Sequence, residues 1–445
     1  MTISTYTKTL ETLAQADVVV VGSGSAGATA AIAAARGGAR TLLLERYGFL
    51  GGTSTGVLDT FYGFYTPGSR SLKVVGGIAD EVVGELERQS QCFRRPNTYG
   101  AGTGITYHPE YLKTIWEGLA QKAGVQILLH AWVQDTLMQG DKVEGLVVAT
   151  RQGLVKIKAK VIVDASGEAD ICAFSGVPFE LAGQVEPAQT LTTTFRMCNV
   201  DMEKRRTLSK GDFHAMMEEA AESGLYRLPR REGSDHPMPV PGMTSTVMTR
   251  VQPVGQREGK VINATDPEFL SQAEAEGRSQ ALEYIRFLQD RVPGYAQAHL
   301  AAFNVQIGIR ETRRVHGLYR LDREDVLSAR QFEDQIGLCG APIEDHGSGK
   351  DTKWQYLPDG RCVGIPYRCL VPRQAGNLLV AGRCFSATHD AHASVRSMAQ
   401  CMAMGQAAGT AAALVAREGS TPAELDPRRL RGVLSEAGAV LEIPD

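Results

Sequence analysis

Short apolar runs and amphipathic stretches alternate along the first third of the chain. Residues 17–21 (DVVVV) are β-branched with no polar alternation, the pattern of a parallel strand buried on both faces. An alanine-rich stretch over 26–36 predicts a helix, stopped by Gly37 and Gly38. Residues 41–44 (TLLL) predict a second strand that closes on Glu45. Farther on, 109–123 predicts a helix with Gly124 as its stop, and 125–129 a strand. Residues 143–150 and 154–157 flank Gly153 and predict a hairpin, with 161–164 as a separate short buried strand. From Pro178 to about residue 370 strand-like pieces, charged helices and Pro/Gly loops mix. Within that stretch 228–241 reads as loop, with four prolines and no apolar period. Residues 378–381 return to the buried-strand type, and a small-residue helix follows over about 395–415. The chain thus leaves one α/β domain and comes back to it.

Composition narrows this picture. A chain of 445 residues with 43% hydrophobic and 22% charged residues can bury a large core, which excludes intrinsic disorder. Its length predicts two or three subdomains rather than one. Glycine is in excess, 48 residues, without the three-residue period of collagen. The net charge of −3 argues against a nucleic-acid partner. No run approaches the ~20 apolar residues of a membrane span, and the start MTISTYTKTLETLAQ lacks the pattern of a signal peptide. The eight cysteines form no C-x-x-C and fit neither zinc nor a disulfide frame, so free thiols in a cytoplasmic protein are expected.

Part of the glycine excess has a place. Gly22-Ser23-Gly24-Ser25-Ala26-Gly27 follows the first strand and opens the first helix, with Glu45 at the end of the next strand. That context turns a weak G-x-G-x-x-G into a dinucleotide site. Gly22 serves the tight turn, Gly24 admits a pyrophosphate, and Gly27 lets helix and strand pack. The phosphates would sit on the helix N-terminus. Glu45 would accept from a ribose, which disfavours a 2′-phosphate. Arg46 and the doublet Gly51-Gly52-Thr53-Ser54 offer a second backbone approach. Ala165-Ser166-Gly167 and Gly382-Arg383 end two further strands, and Val133, Ser394 and Val395 complete the expected cofactor contacts. Three turns at one sheet end suit FAD rather than NAD. No second full G-x-G-x-x-G supplies a separate NAD(P)H domain, and GSGKD at 347–351 reads as a loop.

The segments DVVVVGSGSAGATAAIAAARGGARTLLLE, FLGGTSTG, VIVDASGEADICAFSGVP, IGIRETRRVHGLYRLDREDV and IPYRCLVPRQAGNLLVAGRCFSATHDAHASVRSMAQCMAMGQAAG resemble the FAD-dependent oxidoreductase family. That family lies in the two-dinucleotide-binding-domain flavoprotein group, with glutathione-reductase-like and fumarate-reductase-like enzymes. The resemblance implies a Rossmann-like α/β FAD domain, a parallel sheet with helices plus a smaller β element. It would be discontinuous over 1–185 and 371–445, with an inserted α+β substrate domain over 186–370. It implies non-covalent FAD, since no histidine lies near Gly51 and Gly52. Arg383 stands where many flavoproteins carry an aspartate, so its backbone rather than its side chain is expected at the cofactor.

Flavin dehydrogenation needs a C–H over the flavin N5, a base, and cations that hold the substrate. His389 is the first candidate for acid/base work, because imidazole titrates near neutral pH; a histidine that only holds the cofactor or caps the helix is the alternative. His392 reads as structural. Cys384 could touch the flavin, but a buried packing thiol is the commoner fate of free cysteine. Arg310, Arg313 and Arg314 could grip carboxylates, Arg310 and Arg313 from one helix face, or could form ion pairs with Glu311, Asp322 and Glu324. His346 with Glu344, and Tyr367 with Arg368, are candidate pocket walls. Phe61, Tyr62, Phe64 and Tyr65 could roof the flavin or serve the core. The expected activity is hydride transfer from a small, polar, anionic molecule to FAD, with an electron acceptor the sequence does not identify. One rival is a fumarate-type ene-reductase with Arg310 or Arg396 as proton donor. Another is a flavoprotein with structural FAD, or one serving RNA modification or a protein partner. Self-association into a homo-oligomer stays open.

Overall fold

A computed structural model of the chain describes Thr7 and residues 9–97, 102–347 and 352–443. The loop expected at 347–351 lies, after Gly347, outside the described residues. A seven-stranded mixed sheet organises the molecule. Its strand β1 (Thr12–Val21) runs parallel to β2 (Thr41–Leu44) on one side and to Gly153–Asp164 on the other. Gln126–Leu128 extends one edge, and Leu378–Val380, from the far end of the chain, pairs in parallel with Gly153–Asp164. Val18 to Val20, Leu43, Ile162, Val163 and Leu378 to Val380 are all fully buried, as β-branched and leucine runs between two layers require.

One expectation changes here, and another shifts its bounds. Residues 154–157 and 161–164 are one strand, Gly153–Asp164, not two. Its first half alternates polar and apolar side chains (VKIKAK) and lies between Lys142–Thr150, antiparallel, and the start of β1, parallel. Its second half, VIVD, is buried on both faces and joins the parallel sheet. The helix expected over about 395–415 runs over Met398–Glu418, and a separate short helix precedes it. His389–Val395 stops at Arg396, and Ser397 takes an extended conformation that starts Met398–Glu418. The longer helix lies on helix α1 (Ser25–Arg36), and the approach is possible only because both contact points are glycines. A Cβ on Gly405 would stand 2.1 Å from the Ala26 carbonyl oxygen, and one on Gly409 2.0 Å from that of Ala30.

A second body stands over the carboxyl end of the sheet. Four antiparallel strands, in the order Ser234–Pro237, Thr244–Val247, Phe195–Cys198, His299–Phe303, share a core with the helices Lys210–Glu222 and Pro267–Arg291. The segment 228–241, expected as loop, therefore contains a strand. Its apolar period is hidden because Ser234 and His236 are the inward residues. Leu321, Val326, Leu338, Val363, Ile365 and Leu370 fall in the interval assigned above to the inserted domain, yet they pack in the same core as α1.

Candidate active site

The strands β1, β2, Gly153–Asp164 and Leu378–Val380 all end at one cleft, of about 2060 Å³ counted out to open solvent. In open parallel sheets this is where ligands bind. Gly22, Ser23, Gly24, Ser25 and Ala26 line one end. Glu45, Arg46, Gly52, Thr53 and Val133 line it too, with Ala165, Ser166, Gly167, Gly382 and Arg383. Glu45 Oε2 accepts from the Ser23 N–H at 2.9 Å and from its hydroxyl at 2.6 Å, which ties the acidic residue to the turn. A Cβ on Gly24 meets no protein atom within 4 Å, so the space beside that backbone is open cleft. The Ser25 hydroxyl, at the start of α1, is buried and has no hydrogen-bond partner.

Other expected cofactor residues shape the turn from behind and do not line the cleft. A Cβ on Gly27 would stand 1.8 Å from the Gly22 oxygen. The Gly51 N–H donates to Ser23 O at 2.8 Å, and the Ser54 hydroxyl donates to Gly51 O at 2.7 Å. Ser394 turns its hydroxyl to Ala341 O at 2.6 Å, and Val395 is in the core. Arg383 gives its side chain to Glu168, at 2.7 Å, and packs over Gly167.

Arg230, Arg310 and Arg396 meet where the second body caps the cleft, at its cap end, with Glu344, His346 and Tyr62. Arg310 donates from Nη1 to Thr190 O at 2.6 Å and to Thr192 Oγ1 at 2.7 Å, and among the described residues pairs with no carboxylate. The Nε atoms of Arg230 and Arg396 are buried without a hydrogen-bond partner. Burial, and then Arg396 and Arg230, push the Arg310 pKa well down. Burial pushes Glu344 up, but the hydrogen bond to His346 and the charges of Arg396 and Arg310 outweigh it and hold the carboxyl below its ordinary value. Burial and Arg310 hold His346 well below the ordinary histidine value, so it is neutral.

Three candidates for the chemistry are corrected. His389 does not line the cleft. Its Nδ1 lies 3.0 Å from Glu311 and its Nε2 3.3 Å from Asp345. Burial pulls its pKa down, but the two carboxylates raise it to about 9, so it is a cation at neutral pH rather than a base. Cys384 is fully buried, its Sγ near the carbonyls of Asp164 and Ala381, and burial pushes the thiol pKa well up. Arg310 and Arg313 share no helix. Arg313–Val315 is a strand against Phe179–Leu181. Arg313 pairs with Asp170 at 2.9 Å, and Arg314 with Glu311, Glu180 and Glu186, so the triplet divides between two ion-paired residues and one cleft residue. His392 is buried with Nε2 on Arg383 O at 2.8 Å. Phe61 and Phe64 are core, while Tyr62 lines the cleft. Sequence reasoning missed Arg230. Its only signal was an arginine pair in a proline-rich stretch, which carries no periodicity.

A family model described as FAD dependent oxidoreductase matches residues 17–434. The chain belongs to that family. FAD is its cofactor and it is an enzyme. The residues above fit that group: an open first turn at Gly24, an unpartnered Ser25 hydroxyl at the start of α1, and Glu45 held at the turn. A thiamine thiazole synthase of Methanococcus maripaludis (strain C7) is 30% identical over 162 residues, 34% of this chain and 55% of that protein. A digeranylgeranylglycerophospholipid reductase of Thermoplasma acidophilum is 26% identical over 230 residues, 49% and 54%. The chain spans about half the length of the curated relatives it matches. The p-nitrophenol 4-monooxygenase PnpA of Pseudomonas putida DLL-E4 has a TM-score of 0.51 at 12% identity, over 95% of this chain and 86% of that one, a likeness of fold alone. Among the described residues no helix is long and apolar enough to cross a membrane, and no group of side chains could hold a metal ion.

Proposed function

We propose that the enzyme oxidises a small anionic organic molecule whose acid group is bound at the cap end of the cleft. The carrying observation is that Arg230, Arg310 and Arg396 converge there, and that among the described residues neither Arg310 nor Arg396 has a carboxylate partner, while Arg230 is shared with Glu232 at 3.4 Å. Arginine offers a carboxylate two parallel donors, and burial strengthens each bond. FAD, when bound, supplies a two-electron acceptor that takes hydride at N5. Residues 22–26 would hold its phosphates, Glu45 a ribose, and residues 165–167 with Gly382 the path towards the arginines. His346 is the histidine that lines this end of the cleft, the position the sequence suggested for His389. The Arg383–Glu168 pair fixes the turn between the two ends.

Kinship with glutathione-reductase-like and fumarate-reductase-like enzymes is part of this reading, as is non-covalent FAD. The reverse reaction, reduction of an unsaturated acid, is favoured by one observation: burial and two neighbouring cations loosen the proton of Arg310. An anaerobic screen of organic acids for bleaching of the bound flavin, paired with a screen of reduced enzyme for reoxidation, separates the two directions. Bleaching by no acid, with reoxidation by no unsaturated acid, removes the proposal.

A further inference from the structure

A chain of hydrogen-bond contacts runs behind the cap end of the cleft. Glu344 Oε1 lies 2.8 Å from His346 Nε2. His346 Nδ1 lies 3.0 Å from Thr352 Oγ1, and Thr352 Oγ1 lies 2.5 Å from Glu232 Oε1. These are three contacts, and each needs one proton. An ionised carboxylate brings none, a threonine hydroxyl brings one, and a neutral imidazole brings one. With His346 neutral, one of the three contacts is two lone pairs facing each other. A third proton makes His346 an imidazolium that donates to Glu344 and Thr352, and Thr352 then donates to Glu232. His346 and Thr352 are both buried, and Arg250 Nη2 donates to Thr352 Oγ1 at 3.3 Å and to Glu232 Oε1 at 3.2 Å without placing a proton between any of the three pairs.

The charges facing His346 decide whether that proton is present. Glu344, on the strand Ile343–Asp345, favours it. Burial opposes it first, then Arg310 and Arg230, which reach His346 from the segments before Glu311 and Glu232. Glu232, at the far end of the chain, is itself paired with Arg250 at 3.2 Å and Arg230 at 3.4 Å. The two arginines that oppose the proton are thus cations that line the cleft. An anion bound between them offsets the arginine charges, which leaves burial opposed by Glu344 and the incoming anion together.

We propose that an anionic ligand and one proton enter this cleft together, the proton completing the chain Glu344–His346–Thr352–Glu232. This rests on the reading of the cap end as an anion site. The proton comes from solvent and lodges on imidazole; no other bond changes. Linkage makes the effect reciprocal, so the anion binds more weakly as pH rises, approaching tenfold per pH unit where one full proton is taken up. It also places a charged His346 on the cleft wall beside the bound acid.

The test is calorimetric titration of the FAD-loaded enzyme with malonate at neutral pH, in Tris and in triethanolamine, two cationic buffers with different heats of ionisation. The expected result is a buffer-dependent heat corresponding to uptake of nearly one proton per malonate bound. His346→Gln should still bind malonate with no uptake, and Thr352→Val should lower the uptake by breaking the link to Glu232. Equal heats in the two buffers, with malonate bound, overturn the proton coupling and leave the anion site standing. Undiminished uptake in His346→Gln overturns the assignment to this chain. Malonate binding that is absent, or indifferent to Arg310→Gln, overturns the anion site and this inference with it.

Discussion

His389 sits between Glu311 and Asp345, and that position makes a quantitative claim about pH. Its pKa rises from 6.5 in an unfolded chain to about 9 in the folded one. A group whose folded pKa is raised contributes its full stability below 6.5 and loses it as pH climbs through 9. At about 1.4 kcal/mol per pKa unit, the pair of contacts holds about 3 kcal/mol. Because other groups titrate over the same range, the informative quantity is the difference between the wild-type enzyme and His389→Gln. Urea unfolding of both should be measured below pH 6.5 and above pH 9. Wild type should exceed the variant by about 3 kcal/mol more at the lower pH than at the higher. The gap should close progressively between the two. A gap that stays constant across the range would refute the reasoning. His389 would then titrate as a free imidazole and return as a candidate base.

Gly27→Ala places a Cβ 1.8 Å from the Gly22 carbonyl oxygen, so the first turn must shift; the purified protein should retain little FAD, read from flavin released on denaturation. Arg310→Gln removes a buried charged donor, which at about 1.5–3 kcal/mol per such bond should raise KM or Kd for an acid substrate roughly tenfold to a hundredfold, with FAD content unchanged. Gly409→Val drives a side chain into the Ala30 backbone, 2.0 Å from a Cβ, and should lower the unfolding midpoint by the cost of an overpacked core, about 1–3 kcal/mol or more. Cys384→Ala should leave turnover within a few-fold of wild type, because the thiol lies outside the cleft; abolished turnover in a folded, FAD-loaded variant would restore Cys384 to the chemistry.

The parts of this molecule that could be read from the sequence are those whose signal is local. Residues 17–21 and 41–44 are strands because unbroken β-branched and leucine runs suit a sheet covered on both faces, and the glycine turn is recognisable because strand, turn, helix and acidic residue follow within one unit. What could not be read depends on partners remote in sequence. Nothing near Ser397 announces that a separate short helix ends just before it. His389 looks like a base until Glu311 and Asp345 are brought to it from 78 and 44 residues away. Arg310, Arg313 and Arg314 are alike as text; only the placement of Asp170, Glu180 and Glu186 separates the two structural arginines from the one in the cleft. Arg230 joins Arg310 and Arg396 through tertiary folding alone.

The central claim is that acid recognition by these arginines sits in one cleft with the FAD turn. Its most direct measurement is the anaerobic bleaching of the bound flavin by an organic acid found active in the screen, set beside its uncharged amide and repeated in Arg310→Gln. Bleaching by the acid alone is expected, slowed strongly in the variant while FAD stays bound. Equal bleaching by acid and amide, with the variant as fast as wild type, would contradict it.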